Sequence, residues 1–261
     1  MVLKPGIERE EVTAVNSVAT GSVEHHQNVL FGEIMLGNIN FLELYYHCMN
    51  VTGTGQADWK WYRRPERALH LAQYFRYAMK LEGEKCECGV FRGFSALMLN
   101  LLAKQENPVY SGEDFHIVDS FEGLSQPGEE DLVEIQKPDG IGIEKFHSNA
   151  AGTFSTPIEH VDKVLTDYDQ LKLYKGWIPD VLDCLPEKKW SFVHIDVDLY
   201  EPTLNCLEYF YPRMTPGGVI INDDFSSPAF PGGGKSWTEF CAHHGVPFVE
   251  LDTGQAVIIK S

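Results

Sequence analysis

The sequence predicts an α/β fold of the doubly wound kind: a mostly parallel, seven-stranded sheet that ends in an antiparallel hairpin, with extra helices before the first strand. Three observations lead there. From residue 83 onward, short apolar runs alternate with helical segments, the pattern of parallel strands joined by right-handed crossovers. The last two runs, 248–252 and 255–259, are joined by Asp252-Thr253-Gly254, which is hairpin turn chemistry. The glycine and acid motifs fall just after strands, at the carboxyl ends where such sheets hold ligands.

Residues 1–24 read as irregular. Over 29–49, in VLFGEIMLGNINFLELYYHCM, apolar residues recur at helical spacing and predict a first helix. The stretch 50–58 (NVTGTGQAD) reads as a loop, and 64–81 as a second helix with Leu69, Ala72, Phe75 and Met79 on one face. Strands are expected near 85–88, 116–119, 172–174, 191–196 and 218–222. Helices are expected over 95–105, 156–167, 179–185, 202–213 and 236–244. This divides the chain into a helical lid or oligomerisation segment, 1–82, and a ligand-binding domain, 83–261.

Composition narrows the function. With 261 residues the chain can bury a full core. Its 38 acidic against 21 basic residues give a net charge of -17, a surface that repels phosphate backbones, so no nucleic-acid partner is expected. No run of about eighteen apolar residues is present, so no membrane span is expected. MVLKPGIEREEV lacks an apolar signal core and reads as a cytoplasmic start. The six cysteines mostly sit in apolar patterns and are expected to be reduced, buried thiols. Cys86-Glu-Cys88 has no second pair at zinc-ligand spacing.

The first motif is Glu87-Cys-Gly89-Val-Phe-Arg-Gly93-Phe-Ser95, running from the first strand into its helix. Its glycines admit close backbone approach, and the helix start offers free N–H groups. A dinucleotide site wants G-x-G-x-x-G. Here G-x-x-x-G follows an acid, which repels a pyrophosphate but suits the ammonium of an aminoacyl group. About thirty residues on, Asp119 in His116-Ile-Val-Asp119-Ser120 ends the second strand, where an acid accepts hydrogen bonds from both hydroxyls of an adenosine ribose. Gly176, Trp177 and Ile178 follow the third strand, where adenine would stack. A core position is the other reading of Trp177. The first two motifs as a pair point to S-adenosylmethionine, and with the closing hairpin they predict a Rossmann-like class I methyltransferase fold. The alternative is an NAD-binding or non-catalytic Rossmann protein; Glu87 and the hairpin argue against the first, the acids below against the second.

The fourth strand runs into His194-Ile-Asp196-Val-Asp198-Leu-Tyr200 and the fifth into Asn222-Asp223-Asp224. Adjacent strand ends bring Asp196, Asp223 and Asp224 together, and no Lys or Arg is expected adjacent to neutralise them. An oxygen-liganded divalent cation, Mg²⁺ first, resolves the repulsion and would lower the pKa of a substrate hydroxyl. Asp198 would take the proton as general base. Helix capping is the other reading of these acids.

GVFRGFS, VDSFEGL, HIDVDLYEPT and TPGGVIINDD, in that order, closely resemble the macrocin O-methyltransferase family over about residues 64–260. The resemblance implies a Mg²⁺-dependent class I enzyme, often dimeric, that methylates sugar hydroxyls during antibiotic glycoside assembly. It implies Glu87, Gly89, Gly93, Ser95, Asp119 and Ser120 at the cofactor, Asp196, Asp223 and Asp224 at the metal, and Asp198 as base. Residues 1–60 depart from the family pattern and 125–152 is shorter. These are the regions expected to form the lid and the acceptor pocket.

The acceptor is therefore expected to be a deoxysugar hydroxyl, with a catechol or other small diol as the alternative. Arg63, Arg64 and Arg67 in an acidic chain suggest an anion site, which tilts the reading toward a nucleotide-sugar diphosphate. Trp59, Trp61 and Tyr62 would instead suit a finished glycoside, and Tyr200 is a further acceptor contact. Pro231 to Ser236 resembles the tail of a phosphate loop, but it has Ala229 where the first glycine is needed and follows the wrong strand.

Overall fold

Asn40 ends a short hairpin and starts a helix. Its side-chain oxygen accepts from the backbone N–H of Leu42 at 2.9 Å and of Glu43 at 3.3 Å, so α1 runs Phe41–Thr52. Before it, β1 (Met35–Leu36) and β2 (Ile39–Asn40) pair antiparallel across a turn in which Gly37 has φ +66°. The first helix is thus shorter than its periodicity suggested, with a hairpin in place of its early turns. It ends on Gly53, whose left-handed conformation returns its N–H to the Met49 carbonyl. The computed structural model describes residues 34–54, 64–137 and 142–261; the expectations for 1–33 and 55–63 lie outside them. The second helix, α2, spans Arg64–Ala78.

The sheet follows. Its strands are β3 (Glu84–Cys88), β4 (Phe115–Asp119), β7 (Lys172–Lys175), β8 (Trp190–Ile195), β9 (Met214–Asn222), β10 (Val249–Glu250) and β11 (Ala256–Ile259). Between β4 and β7 come β5 (Val133–Gln136) and β6 (Ile143–Phe146), a separate two-stranded antiparallel sheet absent from the sequence expectation. The helices are α3 (Phe94–Glu106), α4 (Ile158–Val164), α5 (Tyr200–Phe210) and α6 (Pro231–His244). The segment expected as a helix over 179–185 is a 3-10 turn, Asp180–Cys184, and α4 is shorter than the expected 156–167.

The strand order is β10-β11-β9-β8-β3-β4-β7. Five central strands are parallel, while β11 lies antiparallel to β9 and β10 to β11, which is the expected seven-stranded sheet with a closing hairpin. The chain travels outward from β3 to β7, then returns to the other side of β3 as β8. That reversal is where doubly wound sheets open a ligand crevice.

Both faces of the sheet are covered, so successive residues of a strand enter opposite layers. Phe192 packs with α2, where its ring and that of Phe75 lie 5.1 Å apart, whereas Val193 and Ile195 join the layer containing Trp190, Phe210 and Trp237. Residues of α1 and α2 share one core with α3 and the sheet. All six cysteines are unpaired; Cys184 is exposed and the rest are buried. No helix among the described residues is long and apolar enough to cross a membrane.

Candidate active site

The carboxyl ends of β3, β4, β8 and β9 open onto a cavity of about 700 Å³, within the size range of small-molecule sites. One end of it is made by the loop after β3. Gly89 has φ +83°, and a Cβ there would collide with the main-chain carbonyl of Asp196, so glycine is required for the loop to lie against β8. Gly93, at φ +87°, starts α3. Asp119 ties this loop down: one carboxylate oxygen accepts from Val90 N–H at 2.7 Å and the other from Phe121 N–H at 2.6 Å. Phe91 N–H adds a longer contact at 3.4 Å to the first oxygen, so of about four acceptor positions on a carboxylate one is left for a ligand hydroxyl.

Gly89, Ser95, Asp119, Ser120, Gly176, Trp177 and Ile178 all line the cavity. The Ser120 hydroxyl is used locally, donating to Gly123 O at 2.9 Å and accepting from Glu122 N–H at 3.0 Å. Trp177 is 40% exposed on that wall. Glu87 and Gly93 are not on the cavity wall. Glu87 is fully buried instead and accepts from His194 Nδ1 at 2.9 Å.

Register explains the acids. Ile195 of β8 faces Asn222 of β9, so the next residues, Asp196 and Asp223, leave the sheet side by side. Carboxylate oxygens of Asp196, Asp223 and Asp224 all lie within 4.8 Å of one another. Asp198, at φ +63° in the left-handed region, turns back toward them and also lines the cavity. None of these acids caps α5; that N-terminus is held by Asp131, whose carboxylate accepts from Tyr200 N–H at 2.8 Å.

The expectation of a cluster without a basic partner is corrected here. Arg67 of α2 donates to the Asp223 carboxylate and carbonyl, and its guanidinium is 3.8 Å from Asp224 Oδ1. Gln255 Nε2 donates to the other Asp223 oxygen at 2.7 Å, and His194 Nε2 stands 3.9 Å from it. Burial alone would raise Asp223, but Arg67, His194 and Gln255 outweigh it and hold the carboxyl below the usual range. Its neighbours go the other way. Burial, then the charge of Asp223, pushes Asp196 up to about 7; burial, with Asp196 and Asp223, lifts Asp224; burial, with Asp224 and Asp223, lifts Asp198. Asp224 Oδ2 is buried without a hydrogen-bond partner. An all-oxygen donor set with an unsatisfied buried carboxylate fits a hard divalent cation.

The acceptor candidates separate. Arg64 lines the cavity and stacks 5.6 Å from the centre of the Phe94 ring; Arg67 is engaged by the acids; Arg63, Trp59, Trp61 and Tyr62 lie outside the described residues. Tyr200 is corrected: it is absent from the cavity wall, its hydroxyl donates to Glu239 at 2.6 Å, and Lys235 covers its ring. The glycines of Pro231 to Ser236 serve packing, since Cβ atoms at Gly232 and Gly234 would strike Asp131 and the Phe225 carbonyl.

Sequence reasoning missed three features. His194 was noted only as part of a strand. Arg64, Arg67, Ala68 and Leu71 form one wall, and their helical spacing was the available signal. Phe91, Phe154 and Phe230 form an aromatic ledge on the cavity, with Phe91–Phe154 and Phe154–Phe230 centroids 5.7 and 6.2 Å apart.

Residues 67–257 match the family profile described as Macrocin-O-methyltransferase (TylF). Among curated relatives, the chain is 28% identical over 151 residues to a tetracenomycin-C rhamnosyl 4'-O-methyltransferase from Streptomyces olivaceus, covering 56% of this chain and 54% of the relative. It is 27% identical over 178 residues to mycinamicin III 3''-O-methyltransferase from Micromonospora griseorubida, covering 65% of each. It is 26% identical over 147 residues to demethyldecarbamoylnovobiocin O-methyltransferase from Streptomyces niveus, covering 55% of this chain and 53% of the relative. The chain thus spans between about half and two thirds of the length of these relatives. Similar solved structures include the O-methyltransferase NovP, with TM-score 0.65 and 20% identity over 84% of this chain and 98% of that one. The calicheamicin methyltransferase CalS11 follows at TM-score 0.62 and 17% identity over 88% and 96%. These likenesses establish the fold as that of class I O-methyltransferases.

Proposed function

We propose that this chain, which belongs to the macrocin O-methyltransferase family, transfers a methyl group from S-adenosylmethionine to a hydroxyl of a deoxysugar in secondary-metabolite biosynthesis, with a divalent cation at Asp196, Asp223 and Asp224. One observation carries the reading: a single cavity joins Gly89, Asp119 and Trp177 to the acid cluster. The first group suits the donor and the second suits the oxygen to be methylated.

S-adenosylmethionine supplies an electrophilic methyl on a sulfonium, and a divalent cation supplies a charge that acidifies a neighbouring hydroxyl. The chain does the rest. Asp119 would accept from the ribose, the loop from Gly89 to Ser95 would let the aminoacyl end lie against backbone, and Trp177 would offer a face to the adenine. Asp196, Asp223 and Asp224 would hold the cation, and Asp198, whose carboxyl is raised by burial and by the charges of Asp224 and Asp223, would take the hydroxyl proton. The oxygen–methyl bond would form as the carbon–sulfur bond breaks, with the hydroxyl proton passing to Asp198. Holding donor and acceptor in line is the main contribution of the fold.

One feature favours a finished glycoside over a nucleotide-sugar. The ledge of Phe91, Phe154 and Phe230 offers an apolar aglycone a surface. Arg64, Arg67, Ala68 and Leu71 of α2 supply a fixed wall of the cavity, because that helix shares a core with the sheet; of the lid and oligomerisation roles expected for 1–82 we propose the second, a homodimer measurable by light scattering. The test is methylation of a panel of glycosides, the matching nucleotide deoxysugars and a catechol. Turnover confined to glycosides supports the reading. Turnover confined to nucleotide-sugars moves the acceptor, and turnover of the catechol alone overturns the sugar class.

A further inference from the structure

We propose that Arg67 is an internal counter-cation that competes with the divalent cation for the carboxylate cluster and so sets how tightly that cation is held. The inference rests on the metal reading above and assigns a positioning residue that lies outside the cluster's own strands. Arg67 comes from α2, 156 residues away in sequence from the acid it meets. Its guanidinium satisfies one Asp223 carboxylate oxygen while Gln255 satisfies the other. Gln255 also donates to the Arg67 carbonyl at 3.4 Å, which couples helix, hairpin and acid in one contact set.

The arrangement is asymmetric. Asp223 is neutralised and bonded on both oxygens, whereas Asp224 Oδ2 is buried and unpartnered with the guanidinium only 3.8 Å from its other oxygen. Arg67 itself is not fully satisfied, since its Nε is buried without a partner. A guanidinium in a nest of its own would use its whole donor fork. Here it acts as a charge placed where a divalent cation would have to come within a few ångströms of it, and like charges so close in a recessed site repel strongly. Entry of the cation therefore requires Arg67 to give up an Asp223 oxygen. In the metal-free chain, the same residue keeps the acids from facing one another unbalanced.

Calorimetric titration of Mn²⁺ into the metal-stripped full chain tests this, with wild type, Arg67→Met, Arg67→Lys and Asp196→Asn. Arg67→Met should bind Mn²⁺ more tightly, by on the order of ten- to a hundredfold. Arg67→Lys, which keeps charge but loses the fork, should fall between it and wild type and remains informative should the Met variant fold poorly. In EDTA, Arg67→Met should melt below wild type and gain more from added Mg²⁺. Unchanged or weaker Mn²⁺ affinity in both arginine variants overturns the proposal while leaving the metal reading intact. Absence of binding in every variant overturns both. Mn²⁺ affinity that is unchanged in Asp196→Asn also overturns both, because the cation would then sit elsewhere.

Discussion

Gly89→Ala should damage both halves of the cavity at once, because Gly89 is where the donor loop touches the acid strand. The new Cβ would meet the Asp196 carbonyl carbon at 2.8 Å and Val197 Cγ1 at 3.3 Å, and the first of these is backbone that no rotamer change can move aside. Its φ of +83° adds a conformational penalty of about 1–2 kcal/mol for a residue with a Cβ. Overpacking against fixed neighbours adds about 1–3 kcal/mol, for a total loss of roughly 2–5 kcal/mol. Gly245 provides the control. It has φ +65° with nothing within 4 Å of its Cβ position, so Gly245→Ala should lose only about 1–2 kcal/mol. Urea unfolding of both variants gives the difference, and titration with S-adenosylhomocysteine should show weakened binding for Gly89→Ala alone. Equal losses of stability in the two variants would refute the claim that Gly89 is pressed against Asp196.

Other outcomes follow from the same geometry. Asp119→Ala should weaken S-adenosylhomocysteine binding by roughly 1.5–3 kcal/mol, the scale of charged hydrogen bonds, and calorimetry should detect no NAD binding in wild type; unchanged affinity in the variant would remove Asp119 from the ribose. Phe154→Ala should raise KM for glycosides roughly two- to twelvefold, from about 0.5–1.5 kcal/mol of lost ring contact, while leaving cofactor affinity alone. A KM that stays constant across glycosides of different aglycone would show that the aromatic ledge is not where the aglycone lies.

Much of this architecture was legible because parallel strands buried on both faces are short apolar runs, and their ends carry the motifs. Asp196 and Asp223 could be paired in advance since neighbouring strands must end side by side, and Asp252-Thr253-Gly254 marked the hairpin by turn chemistry alone. The segment from Ile34 to Phe41 was misread for a physical reason: its apolar residues satisfy helical and extended spacing equally over so short a run. The deciding signals were the Gly37-Asn38 turn and the Asn40 cap. The β5–β6 hairpin carries only a weak period-two pattern on largely exposed residues. Arg67 illustrates a different limit. Its charge and helical face were readable, but which carboxylate it meets depends on how α2 crosses the ends of β8 and β9, and that is a tertiary fact. Glu87 was likewise readable as an acid at a glycine loop, yet its strand position turns it inward to His194.

On the proposed function, the acids at the ends of β8 and β9 form a cation-dependent acceptor site within the cavity that holds the donor. Methyl transfer from labelled S-adenosylmethionine to an accepted glycoside, measured in EDTA and again after adding Mg²⁺, tests it most directly. No turnover is expected in EDTA, full recovery with Mg²⁺ in wild type, and no recovery in Asp196→Asn. Full turnover of wild type in excess EDTA would contradict it.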